Sequence, residues 1–166
     1  MRIGLNSFLY ASPFTTKSTS LFAKFKKWGF ATVEIPVEDP SHIDPVAVRA
    51  AAEKAGLAIG SICACMGPGR DFRGSEADQK AAMDYCVALI DQAAVMGCPR
   101  LIGPVYSVVG KADAVEPAQQ KIEWALVVKN LKVLAKHAEA KGITICIEPL
   151  NRFETDFLNT CDQGLK

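Results

Sequence analysis

Ile143-Thr144-Ile145-Cys146-Ile147-Glu148 sets three isoleucines on one face of an extended chain and Thr144, Cys146 and Glu148 on the other, because successive strand side chains alternate. Branched aliphatics on one face with smaller or polar groups opposite suit a strand that separates a helix layer from a barrel interior. Four other short apolar, β-branched runs share this character, at residues 3–8, 32–37, 57–65 and 100–105, and the last strand is predicted over 143–150.

Helical signals lie between these strands. A first helix is predicted over 18–28 before Gly29 and a second over 44–55 before Gly56. The third is the clearest, with Ser75 as N-cap, Asp78 three residues on, Ala82, Cys86, Leu89 and Ala93 along one face, and Gly97 as the stop. The fourth starts near Pro117, carries Trp124, Val128, Leu131, Ala135 and Ala138 at spacings of three or four, and ends at Gly142. Strands alternating with helices imply an α/β fold with parallel pairing and right-handed crossovers.

A full (β/α)₈ barrel takes about 250 residues. The 166 residues therefore predict a partial barrel of about four βα units plus a fifth strand, with 160–166 opening a fifth helix: a truncated single domain over 1–166. A doubly wound open sheet is the alternative, but its usual phosphate fingerprint is missing.

Composition narrows the function classes. Nineteen Lys plus Arg against 18 Asp plus Glu give a net charge of +1, which supplies no basic surface for nucleic acid or anionic membrane. Lys24, Lys26 and Lys27 read as a solvated helix face. No stretch has the length of a membrane span, and Met1-Arg2-Ile3-Gly4 has no signal-peptide core. A cytoplasmic location is expected. The six cysteines form no CxxC pair and read as reduced, buried thiols.

Chemistry is expected after the strands' carboxyl ends, where the longer loops 9–17, 66–74 and 106–116 lie. Glu148 closes an apolar strand, so its carboxylate should have a cation, a metal or a proton for company. Pro149 restricts Glu148 to extended backbone. Six residues on, Glu154 adds a second carboxylate, with Asn151 and Arg152 between. Oxygen ligands of this kind suit a hard divalent ion, and a solvated strand end with a surface Arg–Glu pair is the plainer reading. Gly67-Pro68-Gly69-Arg70 lacks both phosphate-loop spacings, so Arg70, Asp71 and Arg73 read as solvated loop charges. His42 falls in a polar loop, and His137 sits late in a helix where it suits the negative dipole end.

The run Glu148-Pro149-Leu150-Asn151-Arg152-Phe153-Glu154, with Ile3-Gly4-Leu5-Asn6-Ser7-Phe8 and Gly29-Phe30-Ala31-Thr32-Val33-Glu34-Ile35, resembles the ketose 3-epimerases. These are the D-tagatose and D-psicose 3-epimerases of the xylose isomerase-like TIM-barrel superfamily. The resemblance implies an isomerase that inverts C3 of a free ketose through a cis-enediolate, with a divalent ion, Mn²⁺ or Co²⁺ and Mg²⁺ as a further option, held by two Glu, one Asp and one His. It carries Glu148 over as metal ligand and acid/base and Glu154 as a substrate contact. Asn6, Phe8, Cys65, Met66 and residues 104–109, beginning at Pro104, fall where that family places its mostly apolar sugar contacts. Asn6 and Val109 stand where the family has large aromatics. Glu34 reads either as a pocket acceptor or as a buried structural carboxylate.

The remaining ligands would lie beyond Lys166, so the resemblance implies an inactive fragment of an enzyme that self-associates at full length. Other xylose isomerase-like activities, on sugars or inositols, are the nearest alternative; an endonuclease of that superfamily would need a basic groove. A non-catalytic half-barrel that pairs through its open edges is the alternative of another class.

Overall fold

The computed structural model describes residues 1–166 and contains five parallel strands in sequential order, β1 (Gly4–Asn6), β2 (Thr32–Val37), β3 (Ala58–Ala64), β4 (Arg100–Gly103) and β5 (Thr144–Ile147). Between and after them run α1 (Phe22–Lys27), α2 (Pro45–Ala55), α3 (Glu76–Met96), α4 (Pro117–Ala140) and α5 (Cys161–Gly164). This is the α/β barrel arrangement that the alternation predicts, covering part of a circle.

Local chemistry explains the boundaries. Ser75 Oγ accepts from Asp78 N while the Asp78 side chain accepts from Ser75 N, and Gly97 closes α3 at φ 68°. Asp44 caps α2 through Val46 N and Ala47 N. The first predicted helix is different: residues 16–21 form a 3₁₀ segment and only Phe22–Lys27 is α-helical. Hydroxyl side chains there satisfy the backbone locally, as when Thr19 Oγ1 donates to Thr16 O at 2.7 Å, and such bonds compete with a regular helix. β4 and β5 stop earlier than predicted, each just short of a proline at 104 or 149 that cannot donate to the ladder. Glu148 N still reaches Gly103 O at 3.1 Å.

Register fixes the two faces. Glu34 pairs with Ser61, Cys63 with Ile102, and Ile102 with Cys146, so these residues share the concave face. Val33 pairs with Ile59 and Glu34 with Ser61, leaving Gly60 as an extra residue that bends β3. Ile35, Ile62 and Leu101 point the other way and are buried against Phe25, Leu89 and Ile90 of the helices.

The stripe of α4 lies slightly around the helix from the predicted line. Glu123, Val127, Leu134 and Ala138 are buried, Trp124, Val128 and Leu131 half-buried, and Ala135 exposed. A pattern scored on apolar residues passes over Glu123, which is buried because it is paired. The cysteines also differ from expectation. All six are free, but only Cys86 and Cys98 are buried; Cys63, Cys65 and Cys146 are half-buried on or beside the concave face, and Cys161 is exposed. No helix is long and apolar enough to cross a membrane.

Candidate functional site

The strands' carboxyl ends bring together most of the residues singled out from the sequence. Asn6 ends β1, and its Oδ1 accepts from Phe8 N at 2.8 Å, turning the chain away from the sheet. Cys65 follows β3, and its N donates to the Tyr85 hydroxyl at 2.7 Å. That hydroxyl in turn donates to Val37 O at 2.5 Å, so Tyr85 of α3 pins the ends of β2 and β3 together. Pro104 follows β4. Asn6, Cys65, Pro104 and Glu154 border one cavity of about 480 Å³, together with Glu38 and Arg70. A second cleft of equal volume lies between α4 and the last residues of the chain and is lined by Gln120, Lys121, Trp124 and Phe157 without a carboxylate.

Glu154 is placed by its own turn. Asn151 accepts from Phe153 N at 2.9 Å through Oδ1, its backbone O accepts from Glu154 N at 3.0 Å, and its Nδ2 donates to the Glu154 carboxylate. Gly110 N donates to Glu154 O at 2.8 Å, which ties this turn to the loop after β4. Arg152 makes no ion pair, so the surface Arg–Glu pair is not formed.

Glu148 directly follows β5 and is exposed, and it is not among the residues that border the cavity. Burial holds its carboxyl above the ordinary range, and the charges of Glu34 and Glu154 push it further the same way. Glu34 accepts from Ser61 Oγ at 2.6 Å on that face. The charges of Glu34 and Glu154 thus act on Glu148, and no cation pairs with any of the three. Glu148 and Glu154 are single oxygen donors of the kind a hard divalent ion takes. The chain does not itself bring together three or more His, Cys, Asp or Glu side chains able to hold a metal ion.

Several functional groups were not legible beforehand. Glu38 borders the cavity, with its oxygens accepting from Ser12 Oγ at 2.7 Å and Phe14 N at 3.0 Å. Arg70 is half-buried rather than solvated, its guanidinium 4.1 Å from the Tyr85 ring centroid and Nη1 donating to Glu38 O at 2.9 Å. Arg73 and Asp71 are buried. Arg73 joins Glu123 at 2.7 Å and Asp156 at 2.7 Å, while Asp71 takes Lys111 at 3.0 Å. These pairs lock the loops after β3, β4 and β5 to α4. The histidines lie away from the site: His42 is 3.8 Å from Asp39, and His137 is 3.0 Å from Asp91 of α3 rather than resting on a helix end alone.

Comparison with known proteins agrees with this architecture. The family described as xylose isomerase-like TIM barrel matches residues 22–166. A probable ketose 3-epimerase of Synechocystis sp. is 27% identical over 100% of this chain and 57% of its own length. An L-ribulose 3-epimerase of Mesorhizobium japonicum is 29% identical over 99% of this chain and 54% of its own. The crystal structure of a D-allulose 3-epimerase from Methylomonas sp. in complex with D-allulose superposes with a TM-score of 0.88 at 22% identity, over 99% of this chain and 57% of that one. The chain spans about half the length of the curated relatives it matches.

Proposed function

The chain belongs to the xylose isomerase-like TIM-barrel family, and from that premise we propose that it supplies part of the active site of a ketose 3-epimerase acting on a small free sugar of the D-tagatose, D-psicose or D-fructose type. The observation that carries the reading is that Glu154 borders the cavity at the strands' carboxyl ends with Asn6, Cys65 and Pro104, while the charges of Glu154 and Glu34 act on Glu148.

A carboxyl held above its usual range is better matched to exchanging a proton with carbon near neutral pH. In this reading Glu148 takes the C3 proton of the ketose at a carboxylate oxygen, and a second acid on the opposite face, beyond residue 166, returns one. Glu154 accepts from a sugar hydroxyl, held in position by Asn151. Asn6 offers an amide to the sugar, while Cys65 and Pro104 form an apolar wall that limits water. Glu148 would also hold a divalent ion, Mn²⁺, Co²⁺ or Mg²⁺, with ligands from outside this chain. When bound, that ion supplies positive charge beside the reacting carbon. A cytoplasmic setting and self-association of the intact protein complete the proposal.

The test is solvent deuterium incorporation at C3. The intact protein, supplied in turn with Mn²⁺, Co²⁺ or Mg²⁺, is incubated in heavy water with D-fructose, D-psicose, D-tagatose or L-ribulose, and C3 labelling and epimer formation are followed by NMR. Labelling with epimerisation supports the reading. No exchange in any ketose with any of the metals overturns it.

A further inference from the structure

We propose that Tyr106 is the positioning residue for Glu148, its hydroxyl holding the backbone from which that carboxylate is aimed; this rests on the role given to Glu148 above. The Tyr106 hydroxyl donates to Glu148 O at 3.0 Å, and no other group donates to that carbonyl. Leu158 O lies further from the hydroxyl, at 3.4 Å, and already accepts from Leu150 N at 3.0 Å. The single hydroxyl proton therefore goes to Glu148.

On its other side, Glu148 N donates to Gly103 O at 3.1 Å. Both backbone groups of Glu148 are thus held by one short segment, residues 103–106, which Tyr106 N closes on itself by donating to Pro104 O at 2.7 Å. The Glu148 carbonyl swings only by rotation about its own Cα–C bond, the torsion that Pro149 already restricts. Anchoring N–H and C=O together fixes the backbone at Glu148, and the direction of its Cα–Cβ bond follows. The carboxylate itself is exposed and has no cation beside it, so its placement is set from the main chain.

Tyr106 is not placed to meet a sugar itself. It is only 1% exposed, and the space it borders is a cavity of about 100 Å³ behind β5, shared with Trp124, Val127, Leu131 and Ile147. It reaches Glu148 from the side of α4. Its ring is held there by stacking on Phe157, with centroids 5.5 Å apart. Phe157 in turn stacks on Trp124 at 5.1 Å and has the Arg73 guanidinium 4.9 Å from its ring centroid. The hydroxyl is therefore fixed relative to α4 and to the loops after β3 and β5. Proton transfer to and from carbon is steeply sensitive to such placement.

Kinetics and metal titration of the intact protein test it. Tyr106→Phe keeps the ring and its stacking and removes only the donor. The kcat for C3 exchange should fall about 10–100-fold while KM moves less than about twofold, and the dissociation constant for Mn²⁺ should rise about tenfold, the scale on which groups that orient a metal ligand act. With Glu148→Gln already in place, the same substitution should shift both readouts by less than about twofold, because a residue acting through a removed partner has nothing left to move. Phe157→Leu frees the ring but keeps the hydroxyl; it should give the same pattern at smaller size, and it decides if Tyr106→Phe fails to fold. An unchanged kcat with unchanged Mn²⁺ affinity overturns the proposal, and so does a loss that persists undiminished in the Glu148→Gln background. A wild type that binds Mn²⁺ but exchanges C3 of no ketose defeats the sugar chemistry alone, and the Mn²⁺ titrations then judge Tyr106; one that does neither overturns both.

Discussion

The guanidinium of Arg73 stands 2.7 Å from the carboxylate of Asp156, joining the loop after β3 to the loop after β5 across 83 residues of chain. The Arg73 side chain is only 1% exposed and that of its other partner, Glu123, 6%. Removing one member of such a cluster leaves the others charged without compensation. Arg73→Met is therefore expected to lower unfolding stability by about 3–5 kcal/mol. Arg73→Lys should recover only part of the loss, because an ammonium cannot span both carboxylates with the geometry of a guanidinium. Urea unfolding midpoints measure both, and an unchanged midpoint for Arg73→Met would show that the cluster does not hold the loops.

Glu148→Gln in the intact protein keeps the shape of the side chain and removes its capacity to move a proton. Proton exchange at C3 should fall by about 10²–10⁴-fold. Glu154→Gln should act mainly on KM, since its proposed role is to bind the sugar. Steady-state kinetics with the preferred ketose separates the two, and equal effects on kcat from both variants would contradict the division of roles.

Tyr85→Phe deletes a hydroxyl that accepts from Cys65 N and donates to Val37 O. Both backbone groups lose a partner where β2 and β3 end. A cost of about 1–3 kcal/mol is expected, together with faster amide exchange at Cys65, which hydrogen-exchange mass spectrometry would detect as earlier deuteration around β3.

Gly103 ends β4 at φ 120°, and a Cβ placed there would come within 2.9 Å of Ala64 O. Gly103→Ala meets both an unfavourable backbone conformation and a neighbouring carbonyl that cannot easily withdraw. The expected destabilisation is about 1–3 kcal/mol, read from thermal unfolding, whereas Gly110→Ala has open space around its Cβ and should meet the backbone strain alone.

Asp91 of α3 faces His137 and Lys141 at the end of α4. Burial alone would raise its carboxyl, but hydrogen bonds from Lys141 and His137 outweigh it and hold the group below the ordinary range. The folded state therefore binds this proton less tightly than the unfolded chain. The stabilisation is complete above the ordinary carboxyl range and is lost as pH falls through the lowered value. Asp91→Asn should consequently lower the melting temperature at neutral pH by more than it does in acid. A difference from wild type that stays constant with pH would rule out this pairing as its source.

What could be read from the sequence was local in origin. Ser75, Asp78 and Gly97 mark the ends of α3 because caps act within a few residues, and the alternation of Ile143, Ile145 and Ile147 with Thr144 and Cys146 assigns the faces of β5 from strand geometry alone. Arg73 looked like a solvated loop charge because its partners at 107, 123 and 156 are reached only after the chain has folded. Glu123 was passed over for the same reason, and with it the true buried line of α4. Glu38 carried no signal, since the groups that orient it, Ser12 and Phe14 N, belong to the preceding βα loop. Glu148 and Glu154 were identifiable from their motif, but the repulsion that Glu34 exerts on Glu148 depends on register between strands more than a hundred residues apart.

Each strand of this sheet lies beside the one made just before it. As the polypeptide leaves the ribosome, every new strand finds its docking edge already in place, so the sheet can grow one βα unit at a time. Nascent chains stalled after α3 should already protect β2 and β3 from proteolysis, before the segments that contribute Glu148 and Glu154 have been translated.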